Sequence, residues 1–189
     1  MVALSKSYFI SPEDYLEIEE KNAIRHEYID GQMYAMSGGT DSHNVIGLNL
    51  VFLIRNHLRG KDCQVYFTDV KARLDASNRF YYPDLMVTCD PRDRETPVYK
   101  RFPKLIVEVL SPGTEGFDRG DKFNDYQTLE TLEEYVLVNA KQQRVDIFRR
   151  NGKQEWSFQS YAPDSGTFAL QSLGLEVSFE QLYEDAGIN

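Results

Sequence analysis

The run from Leu105 to Leu110 has the strongest hydrophobic pattern in the chain, because five of its six residues are apolar. A strand that is apolar on both faces is typical of the centre of a sheet covered on both sides. Other apolar runs of strand length, rich in aromatic and β-branched residues, predict further strands. These runs cover residues 24–29, 32–36, 64–67, 70–74, 80–87, 134–138, 144–149 and 155–161.

Capping signals between these runs predict helices. Ser11 can act as an N-cap and Pro12 suits the first helical position, so a helix is expected from there to about residue 21. Further helices are expected over about residues 118–129 and 178–185. A long helix over residues 41–58 is expected to have Asp41 or Ser42 as its cap and to end before Gly60. Helical spacing predicts its buried face as Val45, Leu48, Phe52 and Leu53.

The order of these elements indicates the topology. The strand at 105–110 is followed by the helix at 118–129 and the strand at 134–138, which predicts two parallel strands joined by a right-handed crossover. Asp30-Gly31 between two apolar runs predicts a β-hairpin. The last two strand runs predict an antiparallel meander. The predicted fold is therefore α/β, with a mixed central sheet flanked by helices, in a single domain over residues 1–189.

The net charge of the protein makes general binding to nucleic acids less expected. It is -9, from 21 basic and 30 acidic residues. That is the wrong sign for general binding to phosphate backbones, which normally depends on an excess of Lys and Arg. A cluster of carboxylates that gathers a metal ion is compatible with it, and so is a local basic groove.

The cysteines and the apolar runs indicate the cellular compartment in which the protein is expected. Cys63 and Cys89 lie far from each other and from any pair of histidines, so we expect two reduced cysteines and neither a disulfide nor a zinc site. Acidic residues near the start interrupt any signal-like apolar run, and no run approaches the ~20 residues of a membrane helix. A cytoplasmic protein with no membrane partner is expected.

Two carboxylates stand out against the apolar strands. Glu108 interrupts the central strand, where an unpaired carboxylate is costly, and an internal salt bridge explains it as well as a functional site does. Asp84 begins another apolar run 24 residues upstream. If the two strands are neighbours, both carboxylates reach one point, which suits Mg²⁺ or Mn²⁺. Taken alone, Asp84 is more typical of a turn after Pro83.

Lys122 lies 14 residues after Glu108 in the predicted crossover helix. Asp118 and Tyr126 share its face at spacings of four residues. An ammonium group beside a metal site would polarise an attacking water or stabilise the charge on phosphorus in the transition state. For a lysine taken alone, an ion pair with Asp118 on a solvated helix face is the commoner explanation.

Several motifs in order resemble the Uma-type family, a bacterial group of restriction-endonuclease-like domains in the PD-(D/E)XK nuclease superfamily. The resemblance covers about residues 11–150. It implies a restriction-endonuclease-like α/β fold and hydrolysis of phosphodiester bonds, with DNA as the expected substrate and Mg²⁺ or Mn²⁺ as the cofactor. The motifs are Tyr82-Pro83-Asp84, Leu105-Ile106-Val107-Glu108-Val109-Leu110-Ser111-Pro112, Asp118-Arg119 with Lys122 and Tyr126, and Glu134-Tyr135-Val136-Leu137-Val138.

Matched by position, the resemblance implies that Asp84 and Glu108 are metal ligands and that Glu27 occupies the N-terminal acidic position. The backbone carbonyl of Val109 is a further candidate ligand. Taken alone, Glu27 is more typical of a surface strand residue. The same resemblance makes these three acidic residues, with Lys122, the candidate catalytic residues.

The lysine is the main departure from the superfamily pattern, which places it two residues after the acid, where Leu110 stands. Lys122 resembles the migrated lysine of some branches, and Tyr126 resembles their helix tyrosine. Lys71, on an earlier strand, is a rival. His43 could meet a phosphate at a helix N-terminus, although a capping or exposed histidine is commoner. Tyr126, Lys71 and His43 are the candidate substrate-binding residues.

Two other functions fit the same residues. A non-catalytic module of the same fold, binding nucleic acid or protein, is favoured by the net charge of -9 and by the missing lysine. A metal hydrolase of small phosphoesters would tolerate an acidic surface better. A homodimer is expected for the nuclease, because many enzymes that cut both strands act as dimers.

Overall fold

The computed structural model describes residues 9–188, which form the following elements. The helices are α1 (Pro12–Lys21), α2 (Asp41–His57), α3 (Glu115–Arg119), α4 (Asp121–Tyr126) and α5 (Phe179–Leu182). The strands are β1 (His26–Ile29), β2 (Gln32–Ala35), β3 (Gln64–Phe67), β4 (Lys71–Leu74), β5 (Arg79–Tyr81), β6 (Leu85–Thr88), β7 (Tyr99–Lys100), β8 (Leu105–Leu110), β9 (Glu134–Asn139), β10 (Val145–Arg150), β11 (Trp156–Tyr161), β12 (Thr167–Leu170) and β13 (Leu175–Ser178).

The larger sheet has the strand order β11-β10-β9-β8-β6-β3. Its central strand β8 is buried along its whole length and runs parallel to β9, whereas its other neighbour, β6, is antiparallel to it. Helix α2 packs on one face of this sheet, and α4 packs on the other through Phe123 and Tyr126. The predicted α/β fold, with its mixed sheet flanked by helices, is confirmed, as is the strand–helix–strand order around α3 and α4.

The smaller sheet has the strand order β2-β1-β5-β4-β7 and is covered by α1 through Tyr15, which packs against Tyr28 and Phe80. Asp30 and Gly31 both have positive φ, as a tight hairpin turn requires, and they join β1 to β2 with Ile29 opposite Gln32. The predicted hairpin is therefore confirmed. It places Glu27 in the middle of a short strand beside the larger sheet.

The predicted strand over residues 80–87 is wrong as one strand. Tyr81 ends β5 in the smaller sheet, and Leu85 begins β6 in the larger one. Residues 82–84 cross between the sheets, and Pro83 has no N–H with which to continue a ladder. This crossing puts Asp84 where the two sheets meet.

The predicted capping and buried face of α2 are also wrong. Thr40 is the cap, and its side chain accepts a hydrogen bond from the backbone of His43. Leu48 and Phe52 are 50% and 70% exposed. The segment is apolar on most sides, so its periodicity could not select a face. Gly47 helps to select it, since a Cβ there would come 2.7 Å from the Phe67 ring. The buried residues are Ile46, Gly47, Leu50 and Ile54.

The crossover and the C-terminal region differ from the predictions in two ways. The single helix expected over residues 118–129 is two short helices, α3 and α4, that meet at Gly120. The β12–β13 hairpin was not predicted. The meander β9-β10-β11 and a helix after Ser178 are confirmed, with Ser178 as the cap of α5.

Cys63 and Cys89 form a disulfide, so the prediction of two reduced cysteines is wrong. They lie just before β3 and just after β6. The antiparallel register of those strands pairs Gln64 with Thr88, so the next pair along is Cys63 with Cys89, with Cα atoms 4.1 Å apart. The disulfide removes one reason for expecting a reducing compartment.

Within residues 9–188, none of the helices is both long and apolar enough to cross a membrane. The single domain over residues 1–189 stays a prediction, and residues 1–8 and 189 lie outside the part that the structure describes.

Candidate active site

A cleft of about 630 Å³ opens where the two sheets meet. Its base is formed by Glu27 from β1, Asp84 from the crossing segment, Glu108 from β8 and Lys122 from α4. The structure therefore brings together the four residues that the sequence proposed as catalytic. They come from four separate segments of the chain.

Asp84 and Glu108 face each other across the antiparallel pair β6–β8. Leu85 pairs with Val107, so the next position along the pair places Asp84 opposite Glu108. The backbone N–H of Asp84 donates to Glu108 Oε2 at 3.2 Å, and the backbone N–H of Val109 donates to Asp84 Oδ2 at 2.7 Å. The two carboxylates thus complete the end of the strand pair and are held in place by it.

Lys122 lies among three carboxylates. Its Nζ is 3.0 Å from Glu27 Oε1, 3.0 Å from Glu108 Oε1 and 3.6 Å from Asp118 Oδ1, and it also lies 5.4 Å from the centre of the Tyr81 ring. Burial lowers the pKa of Lys122, but these carboxylates outweigh it and hold the pKa well above its usual value. Lys122 is therefore an ammonium ion at neutral pH.

Glu108 is buried and lies among charges of its own sign. Burial raises the pKa of Glu108 well above its usual value, and the carboxylates of Asp118 and Asp84 raise it further against the opposing effect of Lys122. Burial likewise raises the pKa of Asp118. Glu27, Glu108 and Asp118 surround this one ammonium ion, and Asp84 faces His43 beside them. When all four acids are ionised, the base of the cleft carries an excess of negative charge that a cation would neutralise.

The donor atoms of this cluster fit a hard divalent cation, because the side-chain donors are all carboxylate oxygens. The hydrogen bonds of the Asp84 carboxylate use Oδ2, and Oδ1 accepts none from the described residues. Within residues 9–188, however, no three His, Cys, Asp or Glu residues are already arranged as a metal site. The ammonium of Lys122 lies between Glu27 and Glu108 and separates them.

His43, in the first turn of α2, also lines the cleft. Its Nε2 is 3.2 Å from Asp84 Oδ2. This hydrogen bond to the Asp84 carboxylate raises the pKa of His43, against the effect of burial. His43 therefore lies in the cleft beside Asp84, and its substrate-binding role stays a prediction.

Tyr126 and Lys71 lie elsewhere, and neither lines the cleft. Tyr126 is fully buried and donates a hydrogen bond from its hydroxyl to Glu108 Oε1 at 3.1 Å, so it contacts the acid from inside the protein. Lys71 is buried, with its Nζ 5.1 Å from the centre of the Tyr82 ring, and burial lowers the pKa of Lys71. Since neither residue is part of the cleft lining, their substrate-binding roles stay predictions.

Two residues of this region did not stand out in the sequence. Tyr81 supports Lys122 with its ring and donates a hydrogen bond to Asp125 at 2.6 Å, which ties β5 to α4. Tyr34 lines the cleft opposite Glu27 on the β1–β2 hairpin. The position of Tyr34 could have been found from the sequence, because a two-residue turn at Asp30-Gly31 fixes the pairing of Tyr34 with Glu27.

Comparison with known proteins gives close relatives. The chain is 41% identical to the Synechocystis sp. protein slr1290 over 174 residues, which are 92% of this chain and 91% of the relative. It is 28% identical to sll1609 of the same organism over 158 residues, which are 82% and 89% of the two chains.

A solved structure shows the same fold. It is described as a putative nuclease belonging to DUF820 from Anabaena variabilis, and it matches with a TM-score of 0.77 over 94% of this chain and 99% of the other. The two sequences are only 14% identical, so the likeness concerns the fold.

Residues 12–180 match the model of the Uma2 family, described as "Putative restriction endonuclease". This match covers the hairpin with Glu27, the crossing segment with Asp84, the central strand and the crossover helices. It confirms the resemblance carried by the motifs and supports a nuclease function in general terms. The chain belongs to the Uma2 family.

Proposed function

We propose that this protein is a metal-dependent endonuclease that hydrolyses phosphodiester bonds, with DNA as its substrate. The observation that carries the proposal is the buried ammonium of Lys122, which lies 3.0 Å from both Glu27 and Glu108 at the base of an open cleft beside Asp84. Membership of the Uma2 family supports a nuclease. The metal, the DNA substrate and a homodimeric assembly are parts of our proposal.

Glu27, Asp84 and Glu108, together with the backbone carbonyl of Val109, would hold Mg²⁺ or Mn²⁺. Their oxygens are the hard donors that these ions prefer. When bound, the ion would lower the pKa of a coordinated water and neutralise charge on the phosphate. Asp84 is the most accessible of the three acids, with 20% of its side chain exposed, and it offers an unengaged oxygen.

Lys122 supplies positive charge and hydrogen-bond donors. An ammonium group has N–H donors and no acceptor, and the raised pKa of Lys122 keeps it charged, so it cannot take the proton of an attacking water. It can donate to that water or to a phosphate oxygen as negative charge develops there. The carboxylates of Glu27 and Glu108 and the ring of Tyr81 fix where this donor points.

Titration with Mn²⁺, read by calorimetry, tests the metal site without depending on activity. We expect one site in the wild type and its loss in both Asp84→Ala and Glu108→Ala. Asp62→Ala is the control, because Asp62 is almost fully exposed on the surface and should leave the titration unchanged. Wild-type affinity in either site variant would show that this ligand set is wrong.

Cleavage of supercoiled plasmid DNA and of single-stranded oligonucleotides with Mg²⁺ or Mn²⁺ tests the activity. A second candidate is the non-catalytic module of the same fold. It is favoured by the way Lys122 already neutralises Glu27 and Glu108 and by the net charge of -9. If the wild type cleaves neither DNA nor RNA, single- or double-stranded, that candidate replaces the nuclease. Turnover of a chromogenic phosphodiester alone would indicate a small-molecule hydrolase.

A further inference from the structure

Tyr34 is a large aromatic residue left open to solvent at the edge of the cleft. Its side chain is 53% exposed, although it lines the same cavity as the acidic cluster. Apart from the backbone pairing of its strand, the Tyr34 side chain itself makes no hydrogen bond and no ring contact with the other residues that the structure describes. Met36 and Ile24, which are 39% and 59% exposed, line the same cleft, and these three side chains together form an apolar ledge.

The strand register fixes where this ledge lies relative to the acids. Tyr34 is directly opposite Glu27 in the β1–β2 hairpin. Directly opposite residues project on the same face, with Cβ atoms roughly 4.5–5.5 Å apart. Glu27 in turn contacts Lys122, whose ammonium lies at the base of the cleft. The Tyr34 side chain therefore lies next to the Glu27–Lys122 pair, where the proposed nuclease would hold the scissile phosphate.

The charges around the cleft argue against a duplex lying across it. Among residues 9–188, three side chains of the lining can carry a positive charge, those of Arg25, His43 and Lys122. Each already faces a carboxylate: Arg25 faces Asp69 at 3.5 Å, and the other two face the acidic cluster. Duplex binding depends on many Lys and Arg contacts to phosphates. Stacking of bases on aromatic rings is the other source of affinity for nucleic acids, and it requires an unpaired base.

We propose that Tyr34 is a stacking platform for the base next to the scissile phosphate, and that the substrate of this cleft is therefore single-stranded DNA. This inference rests on the proposed nuclease function and specifies its substrate. Met36 and Ile24 offer further apolar contact to the base or to its neighbour. Such stacking tolerates any base sequence, because every base has a flat aromatic face.

The test uses cleavage of a single-stranded oligonucleotide in Mn²⁺, together with a set of the same strand carrying one abasic residue at successive positions. In the wild type, removal of the base beside the cut should lower kcat/KM by on the order of ten- to hundredfold. Tyr34→Ala should lower kcat/KM on the intact strand to a similar extent and lose the sensitivity to the abasic residue. Tyr34→Phe, which keeps the ring, should behave like the wild type.

Phe52→Ala is the matched control, because Phe52 is an aromatic residue that is 70% exposed and lies outside this cleft. It should change nothing. Three results would overturn the stacking proposal and leave the nuclease proposal intact. The wild type could cleave every abasic strand as fast as the intact strand, Tyr34→Ala could cleave as fast as the wild type, or the wild type could prefer the fully paired duplex. A wild type that cleaves no nucleic acid would overturn both.

Discussion

Glu108 and Glu134 are two buried glutamates on neighbouring parallel strands, and their surroundings are opposite. Glu134 at the start of β9 is 1% exposed and is surrounded by donors. It accepts from Arg149 Nε at 2.8 Å, from the backbone N–H groups of Gln171 and Ser172 at 3.0 and 2.8 Å, and from the Ser172 hydroxyl. These hydrogen bonds connect the turn of the β12–β13 hairpin to the larger sheet.

Glu108 near the end of β8 is 3% exposed, and it shares one ammonium ion with other carboxylates. Its pKa is raised by burial and by Asp118 and Asp84, so ionised Glu108 is poorly stabilised by the folded protein. The difference shows how two buried acids can be told apart. A carboxylate matched by donors holds the structure together, whereas a crowded carboxylate that opens on a cleft is kept at a cost in stability and is a candidate for function.

The largest expected effect is on stability at the matched acid. Glu134→Gln removes the charge of a buried acid and leaves the Arg149 guanidinium, whose side chain is 11% exposed, without its counterion. We therefore expect the free energy of unfolding to fall by about 3–5 kcal/mol. Urea denaturation measures it. Glu155→Gln, at an exposed position, should be close to neutral. If Glu134→Gln lowered the free energy of unfolding no more than Glu155→Gln does, the contrast between Glu134 and Glu108 would be wrong.

The next effect is on turnover at the crowded site. Lys122→Met removes the ammonium that contacts both Glu27 and Glu108 while keeping similar volume. We therefore expect cleavage to fall by about 10²–10³-fold, as for loss of one transition-state donor. Binding of Mn²⁺ should persist, because an ammonium group is no ligand.

Lys71→Met is the matched control for this substitution, since Lys71 is also a buried lysine but lies outside the cleft lining. We expect its effect on cleavage to be much milder. Activity that survives Lys122→Met and collapses in Lys71→Met would move the catalytic role to Lys71.

A smaller effect, of opposite sign to the first, is expected for Glu108→Gln. A carboxyl whose pKa is raised on folding contributes stability at low pH that is lost as the pH rises through the folded pKa. Gln does not ionise, so the variant should be more stable than the wild type by roughly 1–2 kcal/mol at pH 7, with cleavage lost. The gain should disappear below the ordinary carboxyl value of 4.5. Thermal unfolding from pH 4 to 8 measures it, and equal destabilisation at every pH contradicts it.

The smallest effect is expected for Tyr126→Phe, which removes the hydroxyl that donates to Glu108 Oε1. We expect about a fivefold loss of turnover, equivalent to about 1 kcal/mol for one hydrogen bond. Metal affinity should change by no more than that. Cleavage rates measured at saturating Mn²⁺ separate a loss of turnover from a loss of metal affinity. An unchanged rate would mean that the sheet alone positions Glu108.

The elements that the sequence predicted well are those with strong local signals. The apolar run of β8 and the Asp-Gly turn of the first hairpin need no information from distant residues. The face of α2, the break of residues 80–87 and the Cys63–Cys89 disulfide depend on which segments meet in space. No local pattern contains that information.

The residues of the candidate site likewise divide into those with a local sequence signal and those without one. Glu108 stood out because it interrupts an apolar strand, and Asp84 because it begins another. Lys122 was singled out by its place after Glu108 and by Asp118 and Tyr126 on its face. The family resemblance was needed to favour a role for it, since a helix lysine taken alone is usually solvated. The burial of Tyr126 and Lys71 could not be seen from the sequence, because both residue types are common at surfaces as well as in the interior.

The paired hydrogen bonds between Asp84 and the β8 strand make the backbone itself a reporter of the site. The amide hydrogens of Asp84 and Val109 are each held by a side-chain oxygen of the cluster, where a regular ladder would supply a carbonyl. Whatever draws Glu108 Oε2 or Asp84 Oδ2 toward the cleft must loosen these amides. Their resonance frequencies and their rates of exchange with deuterium would therefore register occupancy of the cleft by any ligand, including one that is bound but never cut.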